Sequence, residues 1–306
     1  MWHKEFVTQR GPGSNQYQAR TGVPGLSQPA AGLLTQAAGG DASQRCGEIW
    51  RTDCQMMVGP PDFSHDKHPD FKSIKLAAGS GSTPPSVLEW LARDPDRKVH
   101  PAVRYWLTRN SSTPPDALER LAQDTDGLAR HGVAGNSSTP PSTLERLAQD
   151  SEGYVRSEVA GNRNTPPSTL ATLAQDSEED VRHLVARNPA CPSATLGQLA
   201  HDPDNGVRRR VAGHPDCPPS ALERLAQDPD GLVRSEVAGN RNTPPSALGK
   251  LARDPVEYVR IGVARHIKTP PGDLERLLRD PRTAEVAVNN PSLPAATRAM
   301  WQLTQH

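Results

Sequence analysis

Thr-Pro-Pro, or a Cys-Pro variant of it, begins at residues 83, 113, 139, 165, 191, 217, 243 and 269, so one interval of 30 residues is followed by six of 26. A constant period of this length excludes an ordinary globular domain. Each unit must be a small supersecondary element that finds its core by stacking on its neighbours. The first interval is longer through an insertion: eight residues, Pro95 to Ala102, stand where the third unit has four, Ser151 to Tyr154. After Thr269 the register shortens, and Leu293-Pro294 opens an incomplete unit that closes on Met300, Trp301 and Leu303. The period therefore predicts eight repeats over 83–292 and a C-terminal capping helix over 293–306. The segment from Val155 to Ser168 recurs letter for letter from Val233 to Ser246, three periods on. Blocks of three units were copied, so recurrence alone gives a polar residue no function.

The third unit reads TPPSTLERLAQDSEGYVRSEVAGNRN from Thr139 to Asn164. Thr139 is the expected N-cap of a first helix, with Pro140 in its first turn, where a missing N–H costs nothing. Leu144, Leu147 and Ala148 fall at i, i+3 and i+4 and form one apolar stripe. Asp150 is the expected N-cap of a second, short helix whose inward residues are Val155, Val159 and Ala160. Gly161-Asn162 is the expected stop, through a left-handed residue. Burial of each large side chain contributes about 2 kcal/mol, while ordering the backbone costs about 1 to 2 kcal/mol per residue. A lone unit therefore cannot fold, but a stack can. That resolves how a chain with 34% hydrophobic residues and a mean hydropathy of −0.66 acquires a core: the core is thin and continuous.

Residues 1–70 differ in kind. The first 82 residues hold seven Gln, eleven Gly, six Pro and all three Phe, without periodicity. The composition predicts a disordered, low-complexity arm, with a short helix possible over 43–57, and a degenerate N-terminal cap over 71–82. No signal-like or membrane-spanning segment is read, and four dispersed cysteines suit a reducing compartment, so a cytoplasmic location is expected.

The pattern Asn-x-x-Thr-Pro-Pro-x-x-Leu-x-x-Leu-Ala-x-Asp-x5-Arg-x-x-Val-Ala resembles the leucine-rich repeat variant family over residues 83 to about 303. More distantly it resembles HEAT and armadillo-type repeats. The resemblance implies an all-α fold, a right-handed α-solenoid (superhelix) of about eight 26-residue two-helix repeats in which the second helix is often 3₁₀. Some members carry an iron–sulfur cluster on an N-terminal cysteine group; Cys46 and Cys54 fall short of the four thiolates required.

Asp150, Asp176, Asp202 and Asp228 recur with Arg156, Arg182, Arg208 and Arg234, and the regularity assigns them to a structural ladder rather than a ligand. Residues that vary inside the constant frame are better candidates for function. Just after each ladder arginine stand Tyr105-Trp106, His131-Gly132, Ser157-Glu158, His183-Leu184, Arg209-Arg210, Ser235-Glu236 and Ile261-Gly262. If the second helix lines the concave face, Tyr105, Trp106, His131, His183, Arg209 and Arg210 are the candidate partner-binding residues. Arg182, Arg187, Arg208 and His214 would extend a basic centre. Cys191 and Cys217 occupy the Thr position and read as neutral replacements. Cys46, Cys54, His65 and His68 could supply four zinc ligands, but their spacing matches no short Cys-x2–4-Cys knuckle, so no metal or other cofactor is expected. No Walker loop, G-x-S-x-G, H-E-x-x-H or G-x-G-x-x-G occurs. The reading is a non-enzymatic repeat scaffold that binds a protein or peptide partner on its concave face. The alternative is a nucleic-acid-binding or base-processing solenoid, against which residues 83–306 carry 27 Lys and Arg to 28 Asp and Glu.

Overall fold

The computed structural model describes residue 75 and residues 77–93 and 101–304. By contact the chain divides into residues 1–60 and 61–306, and every described residue belongs to the second part. The arm assigned to 1–70, the helix expected over 43–57 and Cys46, Cys54, His65 and His68 lie outside the described residues.

Seventeen helices run from Pro85–Ala92 to Ala295–Leu303, residues 77–79 before them are also helical, and no strand is found among the described residues. Each regular unit contributes a seven-residue leading helix, such as Pro141–Leu147, and a nine-residue trailing helix, such as Gly153–Gly161. Both are α-helices, so the 3₁₀ geometry that the resemblance implies for the second helix is not found. The eighth unit has a trailing helix of only four residues, Ala284–Ala287, and helix Ala295–Leu303 follows it.

The leading helix starts one residue later than the sequence suggests. Pro140 is the N-cap, with φ −61° and ψ 146°, and makes no side-chain capping bond. The cause is Pro141, which disfavours helical ψ at the residue before it. Thr139 is thereby released from capping. Its hydroxyl instead donates to the Val133 carbonyl at 2.6 Å, closing the turn after the preceding trailing helix. Thr83, Thr113, Thr165, Thr243 and Thr269 repeat this bond at 2.5–2.6 Å. Cys191 and Cys217 do not: each thiol lies 3.9 Å from the carbonyl of its own following proline. They are not neutral replacements, because a buried bond has been lost at each.

The trailing helix also ends differently. Asn162 is extended, with φ −72° and ψ 130°, so no left-handed residue is used. Its side chain is buried and reaches back into the preceding unit, Nδ2 donating to the carbonyls of Ala134 at 2.7 Å and Asn136 at 2.9 Å, while Oδ1 accepts the Asn164 amide. Asn110, Asn136, Asn188, Asn240 and Asn290 do the same. His214 and His266 stand in this row as imitations of asparagine. Nε2 of His214 donates to the Asn188 carbonyl at 3.1 Å and Nδ1 accepts the Asp216 amide at 3.0 Å, which fixes the neutral Nε2–H tautomer. The last carbonyl of the row, Asn290, is taken by Arg298, whose Nη2 donates to it at 2.9 Å while Nε donates to Val288.

Leu144, Leu147, Ala148, Val155, Val159 and Ala160 are all buried, and with their equivalents in other units they form one core running from Ala78 to Leu293. Trailing helices stack closely on one another, whereas leading helices touch each other lightly. Gly132 shows how tight that stacking is, since a Cβ there would meet the Thr108 hydroxyl at 1.9 Å.

Candidate functional site

The ladder residues lie along one edge of the stack. Arg156 Nε and Nη2 donate to Asp176 Oδ2 and Oδ1 at 2.6 and 3.0 Å, and Nη1 donates to the Asp150 and Ser151 carbonyls at 2.8 and 3.1 Å. The side chain thus ties its own loop to the carboxylate of the next unit, 20 residues on. The same fork joins Arg130 to Asp150, Arg182 to Asp202, Arg208 to Asp228 and Arg234 to Asp254. Asp150 does not cap the trailing helix; its Oδ1 accepts the Glu152 amide and forms a turn one step earlier. Burial works against its charge, yet the Arg130 guanidinium and the Glu152 amide together hold the Asp150 carboxyl below the usual range, and Arg156 with the Glu178 amide does so for Asp176. Capping falls to the next residues: Asp126, Asp204 and Asp230 accept from helix amides, whereas Glu152, Glu178 and Val256 make no such bond.

The variable residues line the outer side of the trailing-helix row. Trp106 leans away from the rest, its ring over Gly79 and under Lys75, with 37% of its surface exposed. Tyr105 packs edge-on against Trp106 and carries the Arg109 guanidinium on its face at 5.2 Å. His131 Nε2 lies 3.2 Å from Glu158, beside the Tyr154 ring. Arg209 is neutralised by Glu236 of the following unit at 3.0 Å. Arg210 is not: its Nε donates to His183 Nε2 at 2.9 Å, which requires a neutral imidazole. Burial, followed by the Arg210 charge, pushes the His183 pKa down. The basic centre read from the sequence therefore contracts. Arg182 and Arg208 belong to the ladder edge and His214 to the buried asparagine row, which leaves His183, Arg187 and Arg210 on the outer face.

Two rows on this face are not evident from residue type. Leu128, Tyr154, Leu232 and Tyr258, in the first turn of their helices, are 58, 43, 48 and 46% exposed. In the last turn, Arg109, Gly135, Gly161, Arg187, Gly213, Gly239 and Arg265 form an exposed row in which arginine recurs every third unit. Their common 26-residue spacing was the available signal. Across the trailing helices of the first three units lies a shallow cleft of about 250 Å³, bounded by Arg109, His131, Gly132, Gly135, Asn136 and Glu158. A second, open cleft of about 730 Å³ lies on the ladder edge at Arg208 and Asp228.

Among the described residues no three His, Cys, Asp or Glu side chains gather as metal ligands. Cys191 and Cys217 are free and buried, and burial pushes both thiols up to about 12. Among the described residues no helix is long and apolar enough to cross a membrane.

Residues 179–204 and 206–230 match the family model of the leucine-rich repeat variant. These two segments are similar to leucine-rich repeat variant units. Each repeat-variant segment starts within or at a trailing helix and takes in the leading helix of the next Thr-Pro-Pro or Cys-Pro period. A solved leucine-rich repeat variant with a repetitive structural motif is 26% identical, over 74% of this chain and 97% of its own, at a TM-score of 0.47. An engineered protein is 15% identical over 87% of this chain and 92% of its own, at a TM-score of 0.39. A designed armadillo repeat protein is 15% identical over 71% and 97%, at a TM-score of 0.22. Among curated proteins nothing matches the chain.

Proposed function

We propose that this chain is a non-enzymatic scaffold, working in the cytoplasm, that binds an extended protein or peptide segment along the outer side of its trailing helices. The observation that supports this reading is the glycine row. Gly161 and Gly239 have helical backbone and open space where a Cβ would stand, so neither conformation nor packing calls for glycine. Glycine in a helix costs about 1 kcal/mol relative to alanine. Keeping the backbone open to a partner is a reason to bear that cost. Arg187 stands between the two glycine pairs and Arg109 and Arg265 flank them as charged ridges, and the exposed Leu128, Tyr154, Leu232 and Tyr258 supply apolar contact along one side.

The test is capture of binding partners by the wild-type chain and by two sets of variants. Trp106→Ala with Arg209→Glu and Arg210→Glu, or Gly161→Leu with Gly239→Leu, should lose the partner. Glu145→Lys with Glu223→Lys, exposed on leading helices, should retain it. Unchanged capture by both trailing-helix sets would remove this face from consideration.

A further inference from the structure

We infer that His183, Arg187 and Arg210 form an anion subsite on the trailing-helix face that accepts side-chain carboxylates of an acidic peptide segment. The inference rests on the scaffold reading above and names the chemistry of its partner. Arg210 is exposed and spends Nε on an uncharged imidazole, leaving its two terminal amino groups without a carboxylate among the described residues. Arg187, one turn beyond His183 on the same helix, is exposed and makes no hydrogen bond or ion pair among the described residues. Its neighbours in the row are Gly161, with open space where a side chain would stand, and Gly213, beside which lies the Glu236 carboxylate already paired with Arg209. Gly206 of the next unit lies between the His183 ring and the Asp204 carboxylate, one oxygen of which accepts the Val207 amide. Two guanidinium groups without an ion pair of their own and a protonatable ring thus border one patch, an arrangement suited to bidentate recognition of carboxylate.

The charges around the patch select a peptide over a nucleic acid. Asp180 on the same helix and Asp204 at the start of the next face His183, opposing Arg187 and Arg210. Glu158 and Glu236 hold the corresponding positions in the units before and after the pair. A polyphosphate strand running along the row would meet these carboxylates, whereas a segment with one or two acidic side chains would not. Occupancy also changes the proton balance. A carboxylate that draws Arg210 away from His183 frees Nε2 and supplies an opposite charge, so the ring takes up a proton as the peptide binds.

The experiment uses the full chain and an acetylated, amidated Gly-Ser peptide bearing two adjacent Glu, followed by fluorescence anisotropy and the imidazole NMR signals of His183. The Glu peptide should bind about tenfold more tightly at pH 5.5 than at pH 7.5, with its own carboxylates ionised at both. Arg187→Gln with Arg210→Gln should abolish binding, and His183→Asn should retain binding without the pH dependence. Equal binding of a Gln-for-Glu peptide, or an affinity unaffected by the double variant, would overturn the inference. So would a single-stranded oligonucleotide that binds more tightly with steep salt dependence. If the Glu peptide fails while Gly161→Leu with Gly239→Leu still loses the captured partner, only the anion subsite falls; if neither result holds, the scaffold reading falls with it.

Discussion

Two joints of the stack have the same backbone geometry and different chemistry. At the joint made by Asn162, one amide gives two hydrogen bonds to the preceding unit, and the nearby Thr165 hydroxyl closes its turn. At the joint made by His214, the imidazole gives one such bond and the nearby Cys217 thiol leaves the Val211 carbonyl without the hydroxyl. The arginine fork spans both joints unchanged, at 2.6 Å for Arg130 to Asp150 and 2.7 Å for Arg182 to Asp202. The lesson is that fasteners on the two edges are independent: one edge is held constant while the other is loosened. The looser joint falls beside His183, Arg187 and Arg210, where the outer face is basic. Regions that must adapt to a ligand are drawn from the less stable part of a structure.

The largest effect is expected at the constant edge. Arg182→Ala leaves Asp202, whose side chain is 4% exposed, charged and unpaired, and should cost about 3 kcal/mol in urea denaturation. Arg156→Ala should cost a similar amount, and Arg209→Ala, whose ion pair is exposed, almost nothing. A loss below about 1 kcal/mol for Arg182→Ala would show that the fork does not hold the units together. The next largest effect lies on the other edge. Asn162→Ala removes the side-chain bond to the Ala134 carbonyl and one of the two bonds to the Asn136 carbonyl, which keeps the Thr139 amide, and should cost about 2 kcal/mol, against about half as much for His214→Ala. Hydrogen exchange should place the opening at the altered joint, because in a stack of this kind each unit depends on its neighbours. Equal costs for the two would mean that the joints do not differ.

Restoring the missing hydroxyls should narrow the gap. Cys191→Thr and Cys217→Thr should each raise stability by about 1 kcal/mol, read from the denaturation midpoint, since each returns a buried bond that the other units possess. The smallest effect concerns pH. His266 occupies the row as His214 does, with burial pushing its pKa down against the opposing Asn240 carbonyl bond. The unfolded chain then binds the proton more readily than the folded one, so the neutral form's stabilisation is complete above about 6.5 and is lost as pH falls below it. His266→Asn should flatten that part of the stability profile. An unchanged slope between pH 7 and 5 would assign the acid sensitivity to other groups.

The period, the two helices per unit and the buried positions of Leu144, Leu147, Val155 and Val159 were legible because apolar spacing and proline placement act locally. Partner choice across units was not. Each ladder arginine from Arg130 to Arg260 has one aspartate six residues before it and another 20 after it, and a strict repeat makes the two indistinguishable on paper. The structure uses both: the backbone carbonyl of the first and the carboxylate of the second. Asn162 was read as a helix stop because asparagine tolerates turns, when its amide serves the preceding unit. The signal that could have revealed this was the pairing of Asn with His alone at that position, as at His214 and His266. Few other side chains donate and accept at comparable reach. On the outer face, residue type identified Arg209 and Arg210 as equals, whereas Glu236 neutralises only the first.

Arg298 sets a rule for how this molecule can lengthen. By covering the Val288 and Asn290 carbonyls it occupies the place where a following unit would plug in. A module added beyond it would find the socket filled, but one spliced in upstream meets an ordinary partner on either side. The three-module duplication visible in the sequence lies wholly upstream of that stopper. Lineages of this protein should therefore vary in module number through interior gains and losses, with the arginine plug carried along intact.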